Sequence, residues 1–373
     1  MLQLVNLRYL ISSLVLLNSL NLSAAETPQK NWTYDGVVTV IYQHPSESQI
    51  SSNATLSGDL NLNFLWHKTR FYAHLEAATT PQAGGAAQVL PQTNADSGSA
   101  IDDRNQGRIQ LSELYFSHKL TPKTQFTAGL LDATAFMDTS VISNDENLQF
   151  ISAPLVNNPI IDFPDYALGM VLEQKLQPKY FGRLLISSSH GLADNASRNY
   201  SQAFELGKDE KGAFINAELS YQPKAQYFTA GVWTHTAPHE SLNDPQNNHL
   251  INFGGYLNAY KKIERHSLET RLAYANPEVS TGEWFWSLAY EYKRPNWVLG
   301  SGYSWTKASD KMSDSRYQKN AQLLEVYVRH QPFKNFFISP SIQWIENPLY
   351  DQNVWQLSNP IWSANIRFSY LFE

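Results

Sequence analysis

Trp284-Phe285-Trp286-Ser287-Leu288-Ala289-Tyr290-Glu291-Tyr292-Lys293 is the stretch on which the fold turns. Side chains along an extended strand point alternately to its two faces. One face here carries Trp284, Trp286, Leu288, Tyr290 and Tyr292, and the other carries Phe285, Ser287, Ala289, Glu291 and Lys293. The first face suits lipid and the second suits water. A two-residue break, Arg294-Pro295, leads into another alternating run, and the last strand of the chain repeats the pattern. There Trp362, Ala364, Ile366, Phe368, Tyr370 and Phe372 oppose Ser363, Asn365, Arg367 and Ser369. Strands of this kind build transmembrane β-barrels.

Working outward, period-two alternation predicts about sixteen strands, each near the length that crosses a bilayer when tilted. Their spans are 32–43, 54–65, 69–79, 108–118, 124–131, 166–175, 180–190, 213–222, 226–235, 250–260, 266–275, 284–293, 296–305, 322–330, 336–345 and 361–372. The connections alternate in length. Short ones fall at 66–68, 119–123, 176–179, 223–225, 261–265, 294–295 and 331–335. Long ones fall at 44–53, 80–107, 132–165, 191–212, 236–249, 276–283, 306–321 and 346–360. Short periplasmic turns and long external loops are the outer-membrane arrangement, and an even strand count puts both chain ends on the periplasmic side. The fold class expected is all-β, a transmembrane antiparallel barrel of sixteen strands with one long loop folded into its lumen. A soluble β-sandwich also alternates. Its dry core would have to hold the polar faces of every strand, at an order of several kcal/mol for each unpaired charge.

Met1 to Arg8 carries one positive charge, and 9–22 is a Leu-rich run of about 14 residues, the length of a signal-peptide core rather than of a spanning helix. Ser23-Ala24-Ala25 supplies the small residues a signal peptidase accepts. Residues 1–25 are therefore expected to be a removable signal, and 26–373 the barrel. Cysteine is absent, which excludes disulfides, thiolate catalysis and Cys-ligated metals. Net charge is −6 and charged residues make up only 17%, with no basic patch to suggest nucleic acid. Aromatics reach 13%, while mean hydropathy is −0.39, as expected when lipid-facing and lumen-facing residues average out.

Two segments resemble the carbohydrate-selective porins of Gram-negative outer membranes: Leu111 to Asp132 (LSELYFSHKLTPKTQFTAGLLD) and Phe336 to Asn347 (FFISPSIQWIEN). In the first, Glu113 precedes a turn and a strand ending Gly129-x-x-Asp132, ahead of Phe136. The second runs on into Asn347-Pro348, and Asp165-Tyr166-Ala167-Leu168-Gly169 is similar too. The resemblance implies a sixteen-stranded barrel that admits sugars by diffusion.

With the apolar faces against lipid, the expected lumen wall includes Asp59, Arg70, Tyr72, His74, Glu76, Glu113, Glu218, Glu269, Arg271, Phe285, Glu291, Tyr327, Arg329 and Arg367. Carboxylates can accept from sugar hydroxyls, guanidinium groups can donate to them, and inward aromatics can stack on the C–H face of a sugar. The plainer reading is that such charges pair across neighbouring strands. A slip of one residue would turn Glu113 to lipid instead.

The segment 132–165 is too apolar for a solvated loop, holding Phe136, Met137, Phe150, Ile151, Ile160, Ile161 and Phe163. It is expected to fold into the lumen and narrow it, the other possibility being an ordered external cap. It also carries Asp132, Asp138, Asp145, Glu146, Asp162 and Asp165 and no cationic residue. Opposite Arg70, Arg271, Arg329 and Arg367 these acids would set a transverse field favouring polar solutes and, modestly, cations.

Ser187-Ser188-Ser189-His190 with Asp194 resembles a catalytic triad only in composition, since neighbours on a strand alternate faces. His235 and His239 with Glu240 offer metal ligands, but outside a helix their spacing is read as leaving them on different faces. No enzyme activity, cofactor or metal is expected. The competing functions are a general or anion-selective (phosphate-type) porin, which calls for a ring of Lys or Arg at the constriction, and a barrel hydrolase. Expected partners are outer-membrane lipid and lipopolysaccharide, with small sugars as permeants; monomer and homo-oligomer are both left open.

Overall fold

Alternating sequence becomes a closed wall when every strand finds two neighbours. The computed structural model describes residues 31–80, 82–98, 107–192, 199–204, 211–244, 246, 248–312, 319–347 and 360–373. The signal-peptide reading of 1–25 lies outside them. The strands are β1 (Trp32–Pro45), β2 (Asn53–Trp66), β3 (Thr69–Ala78), β4 (Arg108–Thr121), β5 (Thr124–Leu131), β6 (Ala167–Gln177), β7 (Tyr180–Ser188) and β8 (Ala213–Tyr221). They continue with β9 (Gln226–His239), β10 (Leu250–Ile263), β11 (His266–Ala275), β12 (Gly282–Lys293), β13 (Trp297–Ala308), β14 (Ala321–Phe333), β15 (Phe336–Glu346) and β16 (Ile361–Phe372).

Each strand pairs antiparallel with its sequence neighbours, and β1 closes on β16 with Val38 opposite Tyr370 and Ile41 opposite Arg367. Closure satisfies every ladder and leaves no edge strand, which a lipid environment requires. The outward residues, among them Val38, Tyr42, Leu56, Leu172, Val232, Leu257 and Trp286, form an exposed apolar belt. A continuous belt of that kind marks contact with lipid rather than water. No described helix is long and apolar enough to cross a membrane.

At one end of the barrel the turns are tight. His67, Glu264 and Asn335 take φ of 53°, 53° and 65°, the left-handed backbone that short hairpin turns demand. At the other end all the connections are long, and several strands extend further into them than alternation alone predicts. Thus β9 reaches His239 and β13 reaches Ala308, carried by ladder bonds to their neighbours.

Two local devices shape the inner wall. The β3–β4 register shifts between His74 and Leu75, so that Ser112 and Glu113 both turn inward and Leu114 faces out. This β-bulge settles the parity of Glu113: it points into the lumen. Across the barrel Tyr327 lies flat over Gly300 of the neighbouring strand, where a Cβ would stand 2.1 Å from its ring. Only glycine leaves room for that ring against the wall.

The topology makes one direct prediction. An epitope inserted between Ala308 and Ala321 should be reached by antibody on intact cells, and one inserted between Glu264 and Arg265 should not. Labelling of the second site alone would invert the barrel.

Candidate functional site

The inward face of the barrel is not empty. Segment 132–165 lies against it, and its apolar residues pack between wall side chains. Phe136, Met137, Ile160 and Ile161 sit among Leu185, Phe214, Trp233, Tyr256 and Phe285. Ile142, Phe150 and Leu155 sit among Tyr260, Val298, Leu323 and Tyr327, with the Phe150 ring edge-on to Tyr327 at 5.1 Å. Burial of side chains this size contributes on the order of 1.5 to 3 kcal/mol each.

Apart from the short helical turns Ala133–Ala135 and Ala153–Val156 the segment is irregular, so its main-chain polar groups need partners from outside. The wall's charges supply them. Arg271 donates to the carbonyls of Ser143 (2.7 Å) and Val156 (3.3 Å). Arg367 donates to those of Glu146 and Gln149, Arg329 to Leu148, and Arg183 to Phe136. The carboxylates take the N–H side. Glu325 accepts from the Ile151 N–H at 3.1 Å, from the Ser152 N–H at 2.9 Å and from its hydroxyl at 2.5 Å. Glu269 accepts from Val141 (3.2 Å) and Glu113 from Asp132 (3.0 Å).

This corrects the transverse-field expectation. Arg271 and Arg367 point inward as read from the sequence, but at 1% and 2% exposure they are covered by the loop and hold its backbone rather than facing its carboxylates across water. Glu269, Glu291 and Tyr327 are buried in the same way, the Tyr327 hydroxyl donating to Glu291 at 2.6 Å. Of the loop acids, Asp132 and Asp145 are likewise occupied. Asp145 accepts from the Asn147 and Leu148 N–H groups, Asp132 caps the 3-10 turn at Thr134, and Asp138 is buried. Sequence reasoning missed Glu325 and Arg183, although Glu325 shares the inward parity of Tyr327 and Arg329. Arg183 also pairs with Glu173 (3.0 Å) and Glu218 (3.1 Å).

A second inward loop was not anticipated. Its helical turns Ala86–Val89 and Pro91–Thr93 bury Ala86, Ala87 and Leu90. Gln43 and Gln343 donate to the Thr93 carbonyl, and the Ala95 N–H bonds the Ile151 carbonyl at 2.8 Å, joining the two loops. The apolar run Ala86-Ala87-Gln88-Val89-Leu90 inside a long polar connection was the available signal.

Among the described residues, the least covered inward surface runs along β2 and β3, where positions 58–65 and 72–78 are half-buried. Between the loops opens a cavity of about 350 Å³, lined by Gln92, Asn94, Asp132, Thr134, Asn157 and Tyr166 among others. Below it, half-buried, stand Asp59, Arg70, Tyr72, His74 and Glu76. The Arg70 guanidinium sits 5.0 Å over the Tyr72 ring, Tyr72 packs tilted at 34° against Tyr115 with centroids 4.8 Å apart, and Tyr115 meets the edge of Phe136 at 5.8 Å. His74 lies 3.2 Å from Asp59 and 3.7 Å from Glu113. Beneath these, near the tight turns, a second opening is lined by Lys119, Lys123, Gln125, Glu173, Lys175 and Arg183 among others.

The loop carboxylates feel this crowding. Burial, then the charge of Asp59, pushes Asp96 up to about 7, against a hydrogen bond from Ser57. Burial, then the charge of Glu113, pushes Asp132 up to about 6. Burial, then Asp145, raises Glu146 well above the usual range. Asp162 goes the other way: burial would raise it, but hydrogen bonds from His235 and His239 outweigh that and hold it down. On a strand, residues four apart share a face, so β9 turns both histidines inward. The expectation that their spacing separates them fails, and their carboxylate partner is Asp162 rather than Glu240. Of the triad-like residues, Ser189 Oγ bonds His190 Nδ1 at 3.0 Å, and Asp194 lies outside the described residues.

A closed barrel of sixteen antiparallel strands with an apolar belt, a polar interior and inward-folded loops is the architecture of an outer-membrane porin. A model of the carbohydrate-selective porins, the OprB family, matches residues 49–355, and the chain belongs to that family. The barrel therefore sits in the bacterial outer membrane. Pseudomonas putida OprB, in a structure at high pH, superposes with a TM-score of 0.70 at 13% identity, over 91% of this chain and 94% of that one. A triple mutant of the Rhodopseudomonas blastica porin superposes with a TM-score of 0.54 at 10% identity, over 91% and 100%. In sequence, an uncharacterized protein of Aquifex aeolicus (strain VF5) is 35% identical over 91 residues, 24% of this chain; the chain spans 29% of that relative's length.

Glu325→Leu should expose the importance of main-chain anchoring. Losing the acceptor for two buried N–H groups costs on the order of 1 to 3 kcal/mol each, so chymotryptic cleavage after Phe150 in the folded porin should rise about tenfold or more. Cleavage unchanged from the parent would show that the loop is held by apolar packing alone.

Proposed function

We propose that this porin carries sugars and other small polar solutes by passive or facilitated diffusion along its β2–β4 side, with Arg70, Tyr72, His74, Glu76, Glu113 and Tyr115 as the contacts. The observation that carries this reading is the strip Arg70–Tyr72–Tyr115, ending on the buried ring of Phe136, beside the Asp59–His74–Glu113 cluster, where Asp59, Arg70, Tyr72, His74 and Tyr115 are half-buried. Pyranose rings present C–H faces that stack on aromatics and hydroxyls that need both donors and acceptors. The strip offers all three. In this reading Asp132, Phe136 and Glu146 border the constriction from the loop side. Arg271, Arg329, Arg367, Glu269, Glu291, Tyr327, Asp138 and Asp145 hold the loop's shape, and Asp162 ties it to β9.

The test is entry of neutral monosaccharides into proteoliposomes. If each ring face contributes about 1 kcal/mol, as aromatic contacts do, Tyr72→Ala and Tyr115→Ala should each slow facilitated entry at low sugar concentration roughly fivefold, while assembly and small-ion conductance remain. Equal entry rates would remove the strip from the pathway, and strong anion selectivity in the unmodified protein would favour a phosphate-type porin.

Ion preference should also depend on pH. A carboxyl with a raised pKa is charged only above the raised value, and Asp96 and Asp132 sit at about 7 and about 6. Cation preference, read from reversal potentials, should therefore fall as pH drops from about 8 to about 5. Asp132→Asn should remove the lower part of that change. A flat profile would exclude both groups from the conducting path.

A further inference from the structure

We propose that Asp162, His235 and His239 form a binding site for one divalent metal ion of borderline softness, zinc or a close neighbour, at the long-loop end of the lumen. Their ligand atoms converge on one point: Asp162 Oδ2 lies 2.6 Å from His235 Nδ1 and 2.9 Å from His239 Nε2, and one ligand atom from each of the three lies within 4.8 Å of the others. Two imidazoles and a carboxylate are a ligand set that zinc takes, at about 2.0 to 2.2 Å per bond.

The fold brings the set together rather than side-chain flexibility. His235 and His239 sit four residues apart on the inward face of β9, with imidazole planes crossing at 78° and ring centroids 4.9 Å apart. Such an arrangement aims two nitrogens at a common centre. Asp162 arrives from the returning limb of the loop, beside Ile160 and Ile161, which are packed in the wall's apolar cluster and fix its position. An ion bonded to all three at tetrahedral angles separates the ligand atoms by about 3.3 Å, which is about 0.4 to 0.7 Å wider than the two contacts to Asp162 Oδ2 and within reach of side-chain torsions.

A fourth ligand is at hand. Asn252, opposite His235 in the β9–β10 ladder, is 4% exposed and directs its amide nitrogen to Asp162 Oδ2 at 3.1 Å. Its amide oxygen has no partner, and turning the amide over would bring that oxygen to the same point. Amide nitrogen and oxygen are exchanged by such a turn without disturbing the backbone. Binding displaces whatever protons the histidines carry to solvent and leaves both imidazoles neutral. The ion would replace the hydrogen bonds that now tie the end of the loop to β9 with coordinate bonds between the same groups.

The purified, folded porin, stripped with chelator, would be titrated with zinc chloride by calorimetry and with cobalt chloride by visible absorption. One zinc per chain is expected, with the strong visible bands of four-coordinate cobalt. His235→Gln with His239→Gln should weaken zinc at least about 100-fold, while His74→Gln, in the other carboxylate–histidine cluster, should leave it unchanged. Zinc uptake equal in the parent and the double variant would overturn the proposal. Should the double variant fail to assemble, the cobalt spectrum of the unmodified porin decides alone: its absence overturns the site, and its presence with one ion per chain supports it.

Discussion

An irregular chain inside a barrel has to find hydrogen-bond partners for its own main chain, and everything else in this lumen follows from how that is done. The peptide N–H and C=O groups of 132–165 have no ladder and little helix to satisfy them. The wall meets them with charge. Four arginines reach carbonyls and three glutamates reach N–H groups, from strands spread around the barrel. Charge-assisted bonds are about twice as strong as neutral ones, and here each buried ion gains a partner by the contact that fixes the loop. The cost of covering a guanidinium such as that of Arg271 is offset only while the loop stays in place.

The same contacts make the interior lopsided. Apolar packing against Tyr260, Leu323 and Tyr327 draws the loop toward one half of the wall, and the second loop locks on through Thr93 and Ala95. The β2–β3 stretch keeps its polar residues half-open. Charged groups on the two halves thus have unlike tasks despite identical chemistry: Arg367 is a buried strut, whereas Arg70 lies over an aromatic ring beside the open path.

Strand existence and facing were legible in the sequence because period two is a one-dimensional signal that lipid and water enforce along each strand. All sixteen strands, and the inward parity of Arg271, Glu291, Tyr327 and Arg367, could be read that way. What could not be read depends on contacts across the lumen. The bulge at Ser112–Glu113 shifts parity by one residue and leaves no mark in composition. That the wall arginines seek carbonyls rather than the loop's carboxylates follows from the loop's path, because main-chain acceptors are the same in every sequence. The pairing of Asp162 with His235 and His239 spans 73 and 77 residues; only its β9 half is legible, because residues four apart share a face on a strand as they do on a helix.

Anchoring through the main chain has a consequence for how such a channel can diversify. A peptide carbonyl presents the same oxygen whatever side chain it carries, so Arg271, Arg329 and Arg367 grip a shape and are indifferent to most of the spelling of 143–156. Point replacements at loop positions that face the passage can retune what passes without loosening the grip. Insertions and deletions, which shift every carbonyl downstream, cannot. Drift in this lumen is therefore free in residue identity and tightly held in length, the reverse of the usual latitude of surface loops.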